Sequence, residues 1–214
     1  MKTLSNVLFG ALLFLGPLST GAGAPFAADI VDLVQMCEGC HGKDGISTQP
    51  DVPIIAGFSH EGFLNTMDMF RDDDRIALSF QRPGEPETVM NDIARQLSDE
   101  DVEALAAYFS QRPFKAAAQP FDRELASRGE ILHKRRCEGC HTHNGAKPVE
   151  DAAILAGQWT PYLRRQFDNI RMGKRLVPPS MYRYIKRLPP GGIDALLNFY
   201  ASQGGAVEAP EKSR

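Results

Sequence analysis

From residue 98 the chain reads Ser98-Asp99-Glu100-Asp101 and then sets Val102, Leu105, Ala106 and Phe109 at the three- and four-residue spacing of one helical face. Ser98 is a good N-cap, and acidic residues in the first turn oppose the positive end of the helix dipole. A similar apolar stripe recurs over 192 to 203, and amphipathic stretches lie at 59 to 71 and 159 to 172. Helical segments are also predicted over 29 to 36 and 122 to 135. No stretch shows the strict alternation of a half-buried strand, so the pattern predicts an all-α fold.

These elements come in two sets. The pentapeptide Cys-Glu-Gly-Cys-His occupies 37 to 41 and again 137 to 141. At the same offset of 100, Gly45 meets Gly145, Asp51 meets Asp151, "IIAG" (54 to 57) meets "ILAG" (154 to 157), and Arg71 and Arg75 meet Arg171 and Arg175. Further on, Leu97, Val102, Leu105 and Phe109 match Leu188, Ile193, Leu196 and Tyr200 at an offset of 91, a single loop deletion of nine residues. Such self-similarity marks a tandem duplication. The expected organisation is a first unit over 28 to 112, a Pro-containing linker over 113 to 121, a second unit over 122 to 204 and a tail over 205 to 214.

Residues 1 to 27 read differently. Lys2 precedes an apolar run, Val7 to Leu15, and then the small residues Ser19 to Ala24. This is the pattern of a cleavable export signal, too short to span a bilayer, and it predicts a periplasmic protein with no stable membrane span after cleavage. A net charge of −3 gives no reason to expect nucleic acid as a partner. The charge is unevenly divided. Residues 29 to 113 carry 6 basic and 17 acidic residues, a net of −11, whereas 114 to 214 carry 17 and 10, a net of +7. A dipolar chain orients its partners and binds them less well in salt.

Two cysteines three apart serve several chemistries. Zinc thiolates, a redox pair and disulfides each leave the following histidine without a purpose, and a redox pair would want a βαβ context. Covalent haem attachment accounts for all three positions: Cys37 and Cys40, or Cys137 and Cys140, form thioethers to the porphyrin, and His41 or His141 ligates the iron. A ligating imidazole needs an acceptor for its other N–H. Val52-Pro53 could supply that carbonyl in the first unit and Ala152-Ala153 in the second, a difference that predicts unequal potentials. For the second axial position the repeat acts as a filter, because a duplicated site should duplicate its ligand. Met36, Met67, Met69 and Met172 face non-methionine residues in the alignment; Met90 and Met181 face each other, each seven residues before the matched leucine in a Pro-containing loop. A bis-His or open iron is the alternative. His60, His133 and His143 have no repeat mate; Gly57, Gly157 and Trp159 are placed in the pocket wall, with ordinary core packing an equally good account of the lone tryptophan. Iron with histidine on one side and methionine on the other has no position for substrate, so the expected role is one-electron relay, without catalytic residues.

The two-unit plan resembles dihaem class I cytochromes such as the cytochrome c4 group. In the second unit, "ILAGQWTPYL" (154 to 163) and "DALLNFYASQ" (194 to 203) are similar to the dihaem cytochrome subunit of flavocytochrome c sulfide dehydrogenase. That resemblance implies an FAD-containing sulfide dehydrogenase subunit as electron donor and a downstream soluble cytochrome or oxidase as acceptor. The alternative it leaves is a free-standing dihaem carrier to a terminal oxidase.

Overall fold

A computed structural model describes residues 29–82 and 84–204. The predicted export signal and the tail from 205 lie outside the described residues. The helices run α1 (Ile30–His41), α2 (His60–Arg71), α3 (Met90–Gln96), α4 (Asp99–Ser110), α5 (Arg123–Arg136), α6 (Thr142–Gly145), α7 (Thr160–Arg171), α8 (Pro179–Lys186) and α9 (Gly192–Ser202). Among the described residues extended pairing is limited to isolated bridges, and the fold is two tandem units built from helices.

Local chemistry sets the helix boundaries. Ser98 caps α4 by accepting from the Asp101 amide at 3.1 Å, and the Asp101 carboxylate accepts from the Ser98 amide in return at 3.0 Å, a reciprocal box that satisfies two otherwise unpartnered donors. The α4 stripe then buries Val102, Leu105, Ala106 and Phe109 against Leu33 and Val34 of α1 and Phe63, Met67 and Phe70 of α2. Full burial of each such side chain contributes about 1.5–3 kcal/mol. In the second unit α9 buries Leu196, Leu197, Phe199 and Tyr200 against Leu163 of α7. It also crosses α5 very closely. A Cβ at Gly129 would stand 2.0 Å from the Ala195 carbonyl oxygen, so only glycine permits this crossing.

Two features depart from the sequence reading. Met90 and Met181 stand in short helices, α3 and α8, that the periodicity missed, because seven or eight residues hold too few turns to print a stripe. The two CEGCH copies also differ in conformation. The first completes α1 as far as His41, whereas α5 ends at Arg136 and the second copy continues as a turn.

The linker is strapped down. The Ala117 amide donates to the Gly157 carbonyl at 2.7 Å, and Gln119 donates to the Gln158 carbonyl at 2.8 Å while accepting from the Thr160 amide at 2.9 Å. The units meet around a pseudo-twofold contact, an antiparallel bridge between Arg75 and Arg175 in which the Ile76 amide donates to Lys174 at 2.8 Å and the Leu176 amide to Asp74 at 2.7 Å. The Gln158 side chain reaches across to hold both the amide (3.0 Å) and the carbonyl (2.9 Å) of Ile54. Arg165 pairs with Asp51 at 2.6 Å.

Candidate functional site

The backbone frame behind each CEGCH copy is the same. In the first unit the Gly45 carbonyl accepts from the amides of Ile55 and Ala56, at 2.8 and 3.2 Å; in the second the Gly145 carbonyl accepts from Leu155 and Ala156 at 2.8 and 3.1 Å. Both glycines have positive φ, 76° and 80°, which a side chain resists. This turn brings the following segment under the histidine. His41 Nδ1 lies 2.8 Å from the Pro53 carbonyl and His141 Nδ1 lies 3.1 Å from the Ala153 carbonyl. A carbonyl can only accept, so Nδ1 carries the proton and Nε2 keeps its lone pair. Burial lowers the pKa of both imidazoles below the ordinary histidine value, against the opposing pull of those carbonyls, and keeps them neutral. A neutral imidazole with an oriented Nε2 lone pair is a metal ligand in waiting.

In the first unit the predicted set converges. Cys37, Cys40, His41 and Met90 line one cleft, partly open to solvent. The floor is apolar, with Phe63, Phe70 and Leu105, and Met67 and Met36 also line it. Met67 belongs to the core and Met36 is exposed on α1 beside Cys37, on the same element as His41. Burial first, then the neighbouring Cys40 and Glu38, push the Cys37 thiol up to about 12. Burial raises Cys137 as well. A thioether at these positions would carry no charge to desolvate.

The mouth of this cleft is built by the other unit. Arg75 lies at the rim, and its Nη2 donates to the Tyr162 hydroxyl at 2.6 Å and to Gln166 at 3.2 Å. Its repeat mate Arg175 donates from Nη1 to the same Gln166 at 2.9 Å, but its Nε is buried with no partner. Burial, and then the like charge of Arg75, lower Arg175 to about 9, even though part of its side chain reaches the surface. Two guanidinium groups held this way without a carboxylate are short of negative charge. The two propionates of a haem would supply that charge, so these residues fit the group.

In the second unit the set is divided between the turn after α5, which carries Cys137, Cys140 and His141, and α8, where Met181 is half-buried. This unit also extends a polar network of which the first holds only the Glu38 carboxylate accepting from the Asp44 amide at 2.7 Å. His133 is fully buried; its Nδ1 lies 3.0 Å from the Tyr200 hydroxyl and its Nε2 2.7 Å from Glu138. Glu138 in turn accepts from the amides of His143, at 2.8 Å, and Asn144, at 3.1 Å. The aligned residues in the first unit are Leu33 and Phe109.

Three sequence placements move. Gly57 and Gly157 do not line the cleft; their amides donate to Phe109 and Tyr200, at 2.9 and 2.8 Å, where the linker passes so close that a Cβ on Gly157 would meet Ala116 at 2.3 Å. Trp159 packs with Ile54, Ala56 and Ala117 and donates from Nε1 to Ser47 at 2.9 Å, because an indole with a polar handle suits the seam between units. His60 pairs with Glu103 at 2.9 Å, and His143 is exposed. No motif or periodicity singles out Asn91. Buried beside Met90, it donates to the carbonyls of Phe70 and Arg75, both at 2.9 Å, and to Asp73 at 3.0 Å, and accepts from the Ala77 amide at 2.9 Å.

The fold and the paired motifs define a dihaem c-type cytochrome of class I, an electron carrier with two covalently bound haem c groups. A family model for cytochrome c matches residues 27–112. Cytochrome c4 from Azotobacter vinelandii is 31% identical over 188 residues, spanning 80% of this chain and 85% of the relative. The crystal structure of reduced recombinant cytochrome c4 from Pseudomonas stutzeri superposes with a TM-score of 0.66 at 29% identity, covering 84% of this chain and 100% of that one. The chain belongs to the cytochrome c4 family. It is also 26% identical over 214 residues to the thiosulfate dehydrogenase electron acceptor of Thiomonas intermedia (strain K12), with 94% and 91% coverage.

Proposed function

We propose that the chain is the dihaem electron acceptor of an exported dehydrogenase for a reduced sulfur compound, working in the periplasm. Cys37, Cys40, Cys137 and Cys140 anchor the haems, His41 and His141 are the proximal ligands, and Met90 and Met181 are the distal ones, in units bounded at 28–112 and 122–204. The observation that carries the reading is the convergence of Cys37, Cys40, His41 and Met90 on one cleft. Arg75 and Arg165 stand at its mouth, at the seam between units.

The haem supplies reversible one-electron chemistry; the chain's own residues hold and insulate it. The Pro53 and Ala153 carbonyls fix the imidazole tautomer. Phe63, Phe70 and Leu105 keep water from the first site, which favours the less charged reduced state. Arg75 and Arg175, paired across the seam, would offer positive charge to haem carboxylates, and two sites in one chain could accept a donor's two electrons in succession.

For the donor, the similarity of 154 to 163 and 194 to 203 to a flavocytochrome subunit supports an FAD-containing sulfide dehydrogenase, and the Thiomonas relative supports a thiosulfate dehydrogenase. Affinity purification from the source cells, followed by reduction assays with each compound, separates the two. A flavin-containing partner and sulfide-driven reduction are expected from the first, and a flavin-free partner and thiosulfate-driven reduction from the second. A monomer reduced by neither overturns both in favour of a carrier serving a terminal oxidase.

A further inference from the structure

Residues 169 to 193 contain no carboxylate. Within this stretch Arg171, Lys174, Arg183, Lys186 and Arg187 are all exposed, and among the described residues none has an acidic partner within 4.0 Å. The matching stretch of the first unit, 69 to 102, holds nine carboxylates, and three of its four cations are neutralised locally: Arg71 by Asp99 at 2.7 Å, Arg95 by Asp73 at 2.5 Å and Arg82 by Glu85. The duplication has kept the backbone and reversed the charge.

The cations surround exposed apolar groups. Met172 is 59% exposed, Leu176 53%, Tyr184 47% and Tyr182 39%. On α8 the inner face is Met181 and Ile185, four residues apart; Tyr182, Arg183, Tyr184 and Lys186 face outward, with Lys186 Nζ 5.8 Å from the Tyr182 ring. Aromatic and aliphatic groups rimmed by unpaired charge of one sign form the anatomy of a transient interface steered by electrostatics.

We infer that the outward face of α8, with the segment from Arg171 to Leu176, is the docking surface for an acidic electron-transfer protein, which exchanges electrons with the second haem rather than the first. The inference rests on the reading of Met181 as that haem's distal ligand, which leaves one short helix, about 10 Å across with its side chains, between the partner and the iron. Charge complementarity names the occupant. A neutral apolar partner would leave five cations without counter-charge, and a basic one would be repelled.

The test uses the full holoprotein and an acidic plant plastocyanin as the probe. Stopped-flow oxidation of the reduced cytochrome by oxidised plastocyanin is measured from about 10 to about 150 mM ionic strength, for the wild type, for R183E/K186E and for R128E/R135E. The last changes net charge equally on α5. The expected result is a roughly tenfold slower reaction at low salt for R183E/K186E, less than about twofold for R128E/R135E, and convergence of all three in high salt. Equal slowing by both pairs would reduce the effect to overall charge and overturn the docking site. So would loss of binding to vesicles containing phosphatidylglycerol in R183E/K186E with plastocyanin rates unchanged, which would assign the face to a membrane. Optical spectra recorded on the same samples keep the two readings apart. If M181L leaves the second haem's thioether band intact, Met181 is not the ligand, whereas the R183E/K186E rates still decide the docking surface.

Discussion

The first unit ties its distal segment with side-chain hydrogen bonds, and the second ties it with proline. Asn91 makes four contacts beside Met90, gathering Phe70, Asp73, Arg75 and Ala77 onto α3. At the matching position of the second unit stands Tyr182, exposed, and α8 is instead started by Pro178-Pro179 and seated by Ile185. On the proximal side the asymmetry reverses. Leu33 and Phe109 are apolar core in the first unit, whereas His133 and Tyr200 link to Glu138 in the second. Duplication has preserved what the backbone needs, the turn at Gly45 and Gly145 and the carbonyl under each histidine. It has let each unit find its own side-chain solution for stiffness, so the same ligand motif goes with unequal surroundings.

The contrast can be broken most forcefully at the ligands. Met90→Ala should open the first iron alone: carbon monoxide should bind to half of the reduced haem, and one of two waves in a redox titration should fall by roughly 100 mV or more, as expected when a thioether is lost. Carbon monoxide uptake at both haems or at neither would contradict the assignment. Next in size is Asn91→Ala. It orphans buried carbonyls and an amide, and should destabilise the first unit by about 2–4 kcal/mol in denaturant melts, whereas Tyr182→Ala should cost about 0.5 kcal/mol or less.

His133→Leu, which installs the residue of the first unit, should cost about 1–3 kcal/mol because it strands the Tyr200 hydroxyl. The pair H133L/Y200F should recover part of that loss, measurable as a coupling energy in a double-mutant cycle. The smallest effect is in acid. The pKa of Glu138 lies below the ordinary value despite desolvation, which pushes it up, because the side chain of His133 and the amides of Asn144 and His143 stabilise the carboxylate. A folded pKa below the unfolded one stabilises above the unfolded value of 4.5 and loses that stability as pH falls through the folded value. Thermal melts of the second unit should therefore decline below about pH 4.5 more steeply than those of Glu138→Gln.

Much of this was readable in the sequence because a duplication reports twice. The 100-residue offset pairs the histidines, the turn glycines and the arginines that meet at the seam, and the offset of 91 pairs the methionines. The Ser98 cap and the α4 stripe stand where the pattern set them. What stayed hidden has no periodic signature. Helices α3 and α8 are too short to print one, and Asn91 looks like any polar surface residue until its four partners, 14 to 21 positions away, are seen around it. Trp159, Gln158 and the linker act between units. Only the packing of one repeat on the other shows that the indole and the two glycines pack at the seam and the linker.

The central claim is that each half holds a covalent haem between its histidine and its own methionine. The direct measurement is a carbon–proton correlation spectrum of the reduced holoprotein labelled at the methionine methyls. Two methyls should lie far upfield under the ring current of a porphyrin, one vanishing in Met90→Leu and the other in Met181→Leu. A single shifted methyl, or a shifted methyl that survives both substitutions, would contradict the account.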